Sequence, residues 1–144
     1  MPAGRILVVD DEEDTITAIG YCLTQEGFTV LEARDGQEAL NVALQENPDV
    51  IVLDVMLPSL NGYEVSRKIK EANNARGGRS PKILLLTARR VDSLEREEFL
   101  AAWSQSDGVI YKPFEMEELL RQITRLCAVM RSHTTQQVAP ASTE

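Results

Sequence analysis

Residues 49–54 read Asp-Val-Ile-Val-Leu-Asp, four aliphatic side chains in unbroken succession closed by a carboxylate. A helix with one solvated face would space its apolar residues three and four apart, and a half-exposed strand would alternate them. An unbroken run fits a strand buried on both faces, as in the interior of a parallel sheet covered by helices. Two further runs share the pattern: Ile6-Leu7-Val8-Val9, followed by Asp10, and Ile83-Leu84-Leu85-Leu86, followed by Thr87. Less continuous strand patterns lie at FTVLEA from Phe28 and at GVIYK from Gly108, the latter running into Pro113.

The intervening segments carry helical spacing. Ile16, Ile19 and Leu23 form one stripe, and Leu40, Ala43 and Leu44 another. Val65 and Ile69 make a shorter one, as do Val91, Leu94, Leu100 and Trp103. The longest is Met116, Leu119, Leu120, Ile123, Leu126, Cys127 and Met130, a core-facing stripe. Breakers separate these segments at Gly27, Asn47-Pro48, Gly77-Gly78 with Pro81, and Asp107-Gly108. A strand–helix unit repeated five times predicts an α/β fold: one doubly wound domain, with right-handed crossovers and helices on both faces of a parallel sheet. The domain is expected over residues 1–131. Residues 132–144 are polar and lack periodicity, the pattern of a disordered tail or a truncated linker.

Composition excludes several classes. The 144 residues suit one domain, and 43% apolar with 26% charged residues supports a packed core rather than disorder. No apolar run approaches the roughly 20 residues of a membrane span, and the N-terminus lacks the apolar stretch of a secretory signal, so a cytoplasmic protein is expected, with no membrane partner. Cys22 and Cys127 form no CxxC pair and read as reduced core residues. The net charge of -8 argues against direct nucleic-acid binding.

That charge is uneven. Asp10 to Asp14 are five consecutive acids, whereas Arg67 to Arg90 holds eight Lys or Arg against Glu71 alone. The basic stretch reads as solvated surface before it reads as a binding face. Within the acidic run, Glu12, Glu13 and Asp14 suit a helix start.

In an open α/β sheet, ligands bind beyond the carboxyl ends of the strands. The strand ends here present Asp10 and Asp11, Asp54, Thr87 and Lys112 at one edge. Three converging carboxylates repel one another, so a cation must join them or one pKa must rise. Such an oxygen cluster suits Mg²⁺. With metal and lysine neutralising the phosphoryl oxygens, an aspartate is a competent nucleophile toward phosphorus. Lys112 offers a point charge, Thr87 a hydroxyl, and Ala88 an open approach.

LVVDDEE, VIVLDVMLPSLNGYE, LLLTA and YKPF, in that order, resemble the receiver domain of two-component response regulators over residues 5 to about 131. The resemblance implies a flavodoxin-like five-stranded parallel sheet of order 2-1-3-4-5 with five helices. It implies that Asp54 is the phosphoacceptor, and that Mg²⁺ is held by Asp10, Asp11, Asp54 and the backbone carbonyl of Met56. Thr87 and Lys112 then contact the phosphoryl group, Met56 and Arg89 flank its approach, and the Lys112-Pro113 bond is cis. The implied donor is a sensor histidine kinase or a histidine phosphotransfer protein. Output passes to a separate downstream protein or to an effector domain absent from this chain, with a phosphorylation-dependent homodimer as a further outcome. Such a domain is a signalling phosphoacceptor that assists its own phosphorylation and dephosphorylation, not an enzyme acting on a separate substrate.

Two features depart from the family pattern. The position three before the lysine, commonly aromatic, is Val109, while Tyr111 adjoins Lys112 and should face away from it in a strand. The stretch 73–81 and the helix after Thr87 are longer than usual. These departures leave a pseudo-receiver, a phosphorylation-independent interaction module, as the alternative. A haloacid-dehalogenase-type phosphatase would need a second Asp where Met56 stands, and a dinucleotide-binding protein would need a glycine-rich loop where Asp10–Asp14 stand. Pro58 and Asn61-Gly62 read as turn formers. His133 lies in the polar tail and takes no part.

Overall fold

Alternate residues of the three apolar runs sort to opposite sides of one sheet. Ile6, Val8, Val50, Val52, Leu84 and Leu86 join one buried cluster, and Leu7, Val9, Ile51, Leu53, Ile83 and Leu85 join the other. A period of two sends successive side chains to opposite faces, so an unbroken aliphatic run fills two cores at once. The computed structural model describes the backbone of residues 4–58, 60–77, 79–88 and 94–143, and side chains to residue 129, Leu94 apart.

The strands are β1 (Arg5–Val9), β2 (Thr29–Ala33), β3 (Val50–Asp54), β4 (Lys82–Ala88) and β5 (Gly108–Lys112). They pair in parallel in the order β2-β1-β3-β4-β5, so the three continuous apolar runs are the three interior strands. Helices α1 (Glu13–Gln25), α2 (Gly36–Glu46), α3 (Gly62–Arg76), α4 (Leu94–Trp103) and α5 (Met116–Thr143) follow the strands in turn. The first core takes Ile16, Ile19 and Leu23 from α1 and Leu119, Ile123 and Leu126 from α5. The second takes Ala39 and Ala43 from α2 and Val65 and Ile69 from α3. Where α2 crosses α3, a Cβ on Gly36 would lie 2.7 Å from Val65 Cγ2, so this close approach requires glycine.

The backbone of α5 is helical to Thr143. Two local readings change. Asn61 and Gly62 start a helix rather than only a turn: Asn61 Oδ1 accepts the Glu64 amide at 3.0 Å, a side-chain cap of α3. Cys127 is buried, but Cys22 is only half-buried; both are free thiols.

The basic stretch also departs from the solvated-surface reading. Lys70 is buried, its Nζ donating to the Pro81 carbonyl and to Asp107 Oδ2, both at 2.8 Å. Arg76 donates to the Leu44 carbonyl at the end of α2, and Arg79 pairs with Asp49 at 2.9 Å. Arg67 pairs with Glu71 and donates to the Trp103 carbonyl. These cations tie α3 and the start of β4 to their neighbours. Arg89, Arg90 and Val91 lie outside the described residues.

Candidate functional site

The carboxyl edge of the sheet gathers the predicted side chains. Asp10 follows β1 and is 1% exposed; its amide donates to the Ala33 carbonyl at 3.2 Å. Its Oδ1 accepts the Glu12 amide at 2.9 Å, closing the tight turn into α1, while Oδ2 is buried without a hydrogen-bond donor. Asp11, next in the turn, is exposed. Asp54 ends β3 and is 3% exposed. One carboxylate oxygen from each of Asp10, Asp11 and Asp54 lies within 4.8 Å of the others.

Asp54 Oδ1 accepts the Met56 amide at 3.1 Å and faces Lys112 Nζ at 3.3 Å, so backbone and cation together fix the orientation of this carboxylate. The loop after it is held by the Val55 amide on the Leu86 carbonyl at 2.9 Å and by the Gly62 amide on the Val55 carbonyl at 2.8 Å. Gly62 sits so close that an added Cβ would lie 2.7 Å from the Asp54 carbonyl oxygen and 2.7 Å from Val55 Cα. The sequence reading missed this role for Gly62, because a backbone contact between residues eight apart leaves no periodic signal.

Burial, more than any other cause, pushes the Asp10 carboxyl up to about 6; neighbouring Asp54 adds to the rise, and the Glu12 amide and Lys112 oppose it. A raised carboxyl within the cluster is the direction the sequence predicted, although burial rather than the converging carboxylates is its main cause. The donor set fits a hard divalent cation: three carboxylates, one of them with a buried oxygen lacking a donor.

Thr87, buried near the end of β4, lines a cavity with Val55 and Met56, the residues after Asp54, and among the described residues its hydroxyl makes a 3.5 Å contact with the Ala88 carbonyl. Lys112 ends β5, and the Lys112-Pro113 bond is cis, as the resemblance implied. Val109 packs against the second core, whereas Tyr111 stands in register with Thr87. In-register side chains of paired strands project to the same face, so the aromatic residue of β5 lies on the side of the threonine. Met56 is 60% exposed above the cluster. Arg89, expected to flank the approach, lies outside the described residues.

Comparison with known proteins agrees with this geometry. A family model described as the response regulator receiver domain matches residues 6–124. The alkaline phosphatase synthesis transcriptional regulatory protein PhoP of Bacillus subtilis is 42% identical over 115 residues, 80% of this chain and 45% of the relative. The response regulator MprA of Mycolicibacterium vanbaalenii is 39% identical over 130 residues, covering 90% of this chain and 52% of the relative. The chain thus spans about half the length of these curated relatives. Among solved structures, the receiver domain of the Francisella response regulator 1452 superposes with a TM-score of 0.75 at 30% identity, over 87% of this chain and 97% of that one. With the motif order, sheet order and acidic cluster all in agreement, the chain belongs to the receiver-domain family of response regulators.

Proposed function

We propose that Asp54 accepts a phosphoryl group from a phosphohistidine of a sensor histidine kinase or a histidine phosphotransfer protein, and that the acyl phosphate switches a protein-interaction surface. The observation that carries this reading is the buried, oriented Asp54 carboxylate, with Lys112 Nζ at 3.3 Å and two further aspartates within reach. A bond forms from an Asp54 carboxylate oxygen to phosphorus as the phosphorus–nitrogen bond breaks, and the imidazole leaves with that electron pair. Lys112 offsets charge on the phosphoryl oxygens, and the Thr87 hydroxyl donates to one of them. Asp10, Asp11, Asp54 and the Met56 carbonyl would hold Mg²⁺, which supplies further neutralisation of the phosphoryl charge.

Thr87 and Lys112 meet the added group only by moving, so the ends of β4 and β5 shift and the surface of α4, β5 and α5 repacks. This is a population shift, driven by the difference in phosphoryl contacts between two states. Attack of water on the acyl phosphate resets the switch. Output passes to a separate protein or to an effector domain outside these 144 residues, with residues 132–144 as the connecting segment.

Incubation with acetyl phosphate and Mg²⁺, followed by intact mass, tests the reading. The chain should gain one phosphoryl mass, and neither Asp54→Asn nor a sample in EDTA should. A wild-type chain that gains none refutes the acceptor role and leaves the phosphorylation-independent module as the reading.

A further inference from the structure

We infer that α4 is hinged at its C-terminal end, clamped there by α3, and that a displacement at Thr87 pivots its N-terminal half over a cavity. The inference deepens the switch proposed above and rests on it for the trigger, although the clamp itself is a property of the resting chain.

An α-helix ends with four carbonyls that have no partner within it. In α4 all four are satisfied. The Leu100 carbonyl accepts the Ser104 amide at 2.9 Å, and the Ala102 carbonyl the Gln105 amide at 3.1 Å. The Ala101 carbonyl accepts Ser104 Oγ at 2.6 Å and Ser106 Oγ at 3.3 Å. The Trp103 carbonyl accepts Arg67 NH1 of α3 at 2.7 Å, and the same guanidinium lies 4.9 Å from the centroid of the Trp103 ring. One residue on, the Ser104 carbonyl accepts Ser66 Oγ of α3 at 2.9 Å, with both serines fully buried. The chain then closes onto the sheet. Asp107 donates its amide to the Ile83 carbonyl, receives the Ile83 amide, and holds buried Lys70 of α3. Two adjacent turns of α3, through Ser66, Arg67 and Lys70, thus grip residues 103–107.

The other half of α4 has different surroundings. Arg96, Glu97 and Leu100 roof a cavity of about 340 Å³ whose floor includes Thr87, Tyr63 and Val55. Packed interiors resist gradual deformation, whereas a helix over free volume has somewhere to go. Movement of Thr87 toward a phosphoryl group enlarges that space on the side of β4. The first two turns of α4 can follow it while the last turn stays attached to α3.

Two measurements test the hinge. In a chain with Cys22→Ala and Cys127→Ala, spin labels are placed at Gln45→Cys with either Glu95→Cys or Ala102→Cys, all exposed positions. Beryllofluoride with Mg²⁺ should shift the 45–95 distance by roughly 2 Å or more and leave the 45–102 distance within about 1 Å. An equal or larger shift at 102 overturns the hinge, and silence at both pairs overturns the switch reading instead. The second measurement needs no phosphorylation. In Ser66→Ala with Arg67→Ala, exchange of the amides of residues 104–107 should accelerate roughly tenfold, the scale of one lost net hydrogen bond, with less than about twofold change at residues 98–100. No acceleration, or equal acceleration along the helix, overturns the clamp whatever the first measurement shows. Arg67→Ala alone, a change at a partly exposed side chain, carries the test if the double variant is unstable.

Discussion

Replacing Asp10 with asparagine should stabilise the metal-free domain at neutral pH and lose most of that gain near pH 4. The carboxylate is 1% exposed, and one of its oxygens meets no donor. Its pKa rises from 3.8 to about 6, chiefly through burial. The folded state therefore holds this proton more tightly than the unfolded chain, and stability falls as pH rises through that window. Below the window the carboxyl is neutral in both states. Above it, folding carries the whole cost of an ionised buried carboxylate. A rise of about two pKa units bounds the cost near ~3 kcal/mol. Partial access of water at the edge of the sheet brings it to about 1–2 kcal/mol. Asparagine keeps an oxygen for the Glu12 amide and brings an N–H₂ donor toward Asp54.

Thermal unfolding in EDTA at pH 7.5 and pH 4, for both chains, measures this directly. The variant should gain roughly 3–8 °C in Tm at pH 7.5 and little at pH 4. With saturating Mg²⁺ the wild type gains stability by mass action and the variant gains less, so the ordering narrows or reverses. An equal Tm difference at both pH values, or a less stable variant at pH 7.5 in EDTA, would refute the argument that burial of this carboxylate is what costs stability.

Other substitutions probe the surrounding structure. Gly62→Ala drives a Cβ into the Asp54 carbonyl and Val55 Cα and should cost about 2–3 kcal/mol in urea unfolding; a change under about 0.5 kcal/mol would show that the loop yields freely. Lys112→Met, which removes the cation facing Asp54, should lower phosphoryl uptake from acetyl phosphate about a hundredfold by intact mass while the circular dichroism stays native. Asp35→Ala removes the side chain that accepts the Glu38 amide at 2.8 Å and should cost about 1 kcal/mol, read from the urea midpoint. Lys70→Met leaves part-buried Asp107 with the Ile83 amide and a distant Lys82 and should cost about 2–3 kcal/mol; a neutral result would mean that those two partners suffice for that carboxylate.

The layout of the sheet was legible because its interior strands are apolar on both faces, and their shortness and flanking breakers set them apart from a buried helix. The runs ending at Val9, Asp54 and Leu86 became β1, β3 and β4, and the residues just beyond them became one edge. Asp10, Asp11, Asp54, Thr87 and Lys112 could therefore be placed together from sequence alone. Contacts across the fold left no comparable mark. Gly62 looked like a turn residue because its neighbour in space, the Asp54 backbone, is remote in local pattern. Lys70 looked solvated because its partners, the Pro81 carbonyl and Asp107, lie 11 and 37 residues away.

The amino edge of the sheet and the acidic site differ electrostatically, although Arg34 closes pairs with Glu13 and Glu32 at the carboxyl edge as well. At the amino edge, charges are closed into pairs: Arg5 with Glu46, Arg79 with Asp49, Lys70 with Asp107. In the acidic site three aspartates face one another, Lys112 pairs with Asp54, and a buried oxygen of Asp10 goes without a donor among the described residues. A closed pair gains little from a new ligand. The aspartate cluster holds like charge that Lys112 only partly offsets, and a ligand shifts an equilibrium only through interactions that differ between states. Any bound cation or phosphoryl group therefore finds its leverage at the end where Thr87 and the first turns of α4 lie. The last turn of α4 joins the fixed end through Ser104 and Asp107. The helix that spans the two regimes is the element through which charge at one edge becomes movement relative to the other.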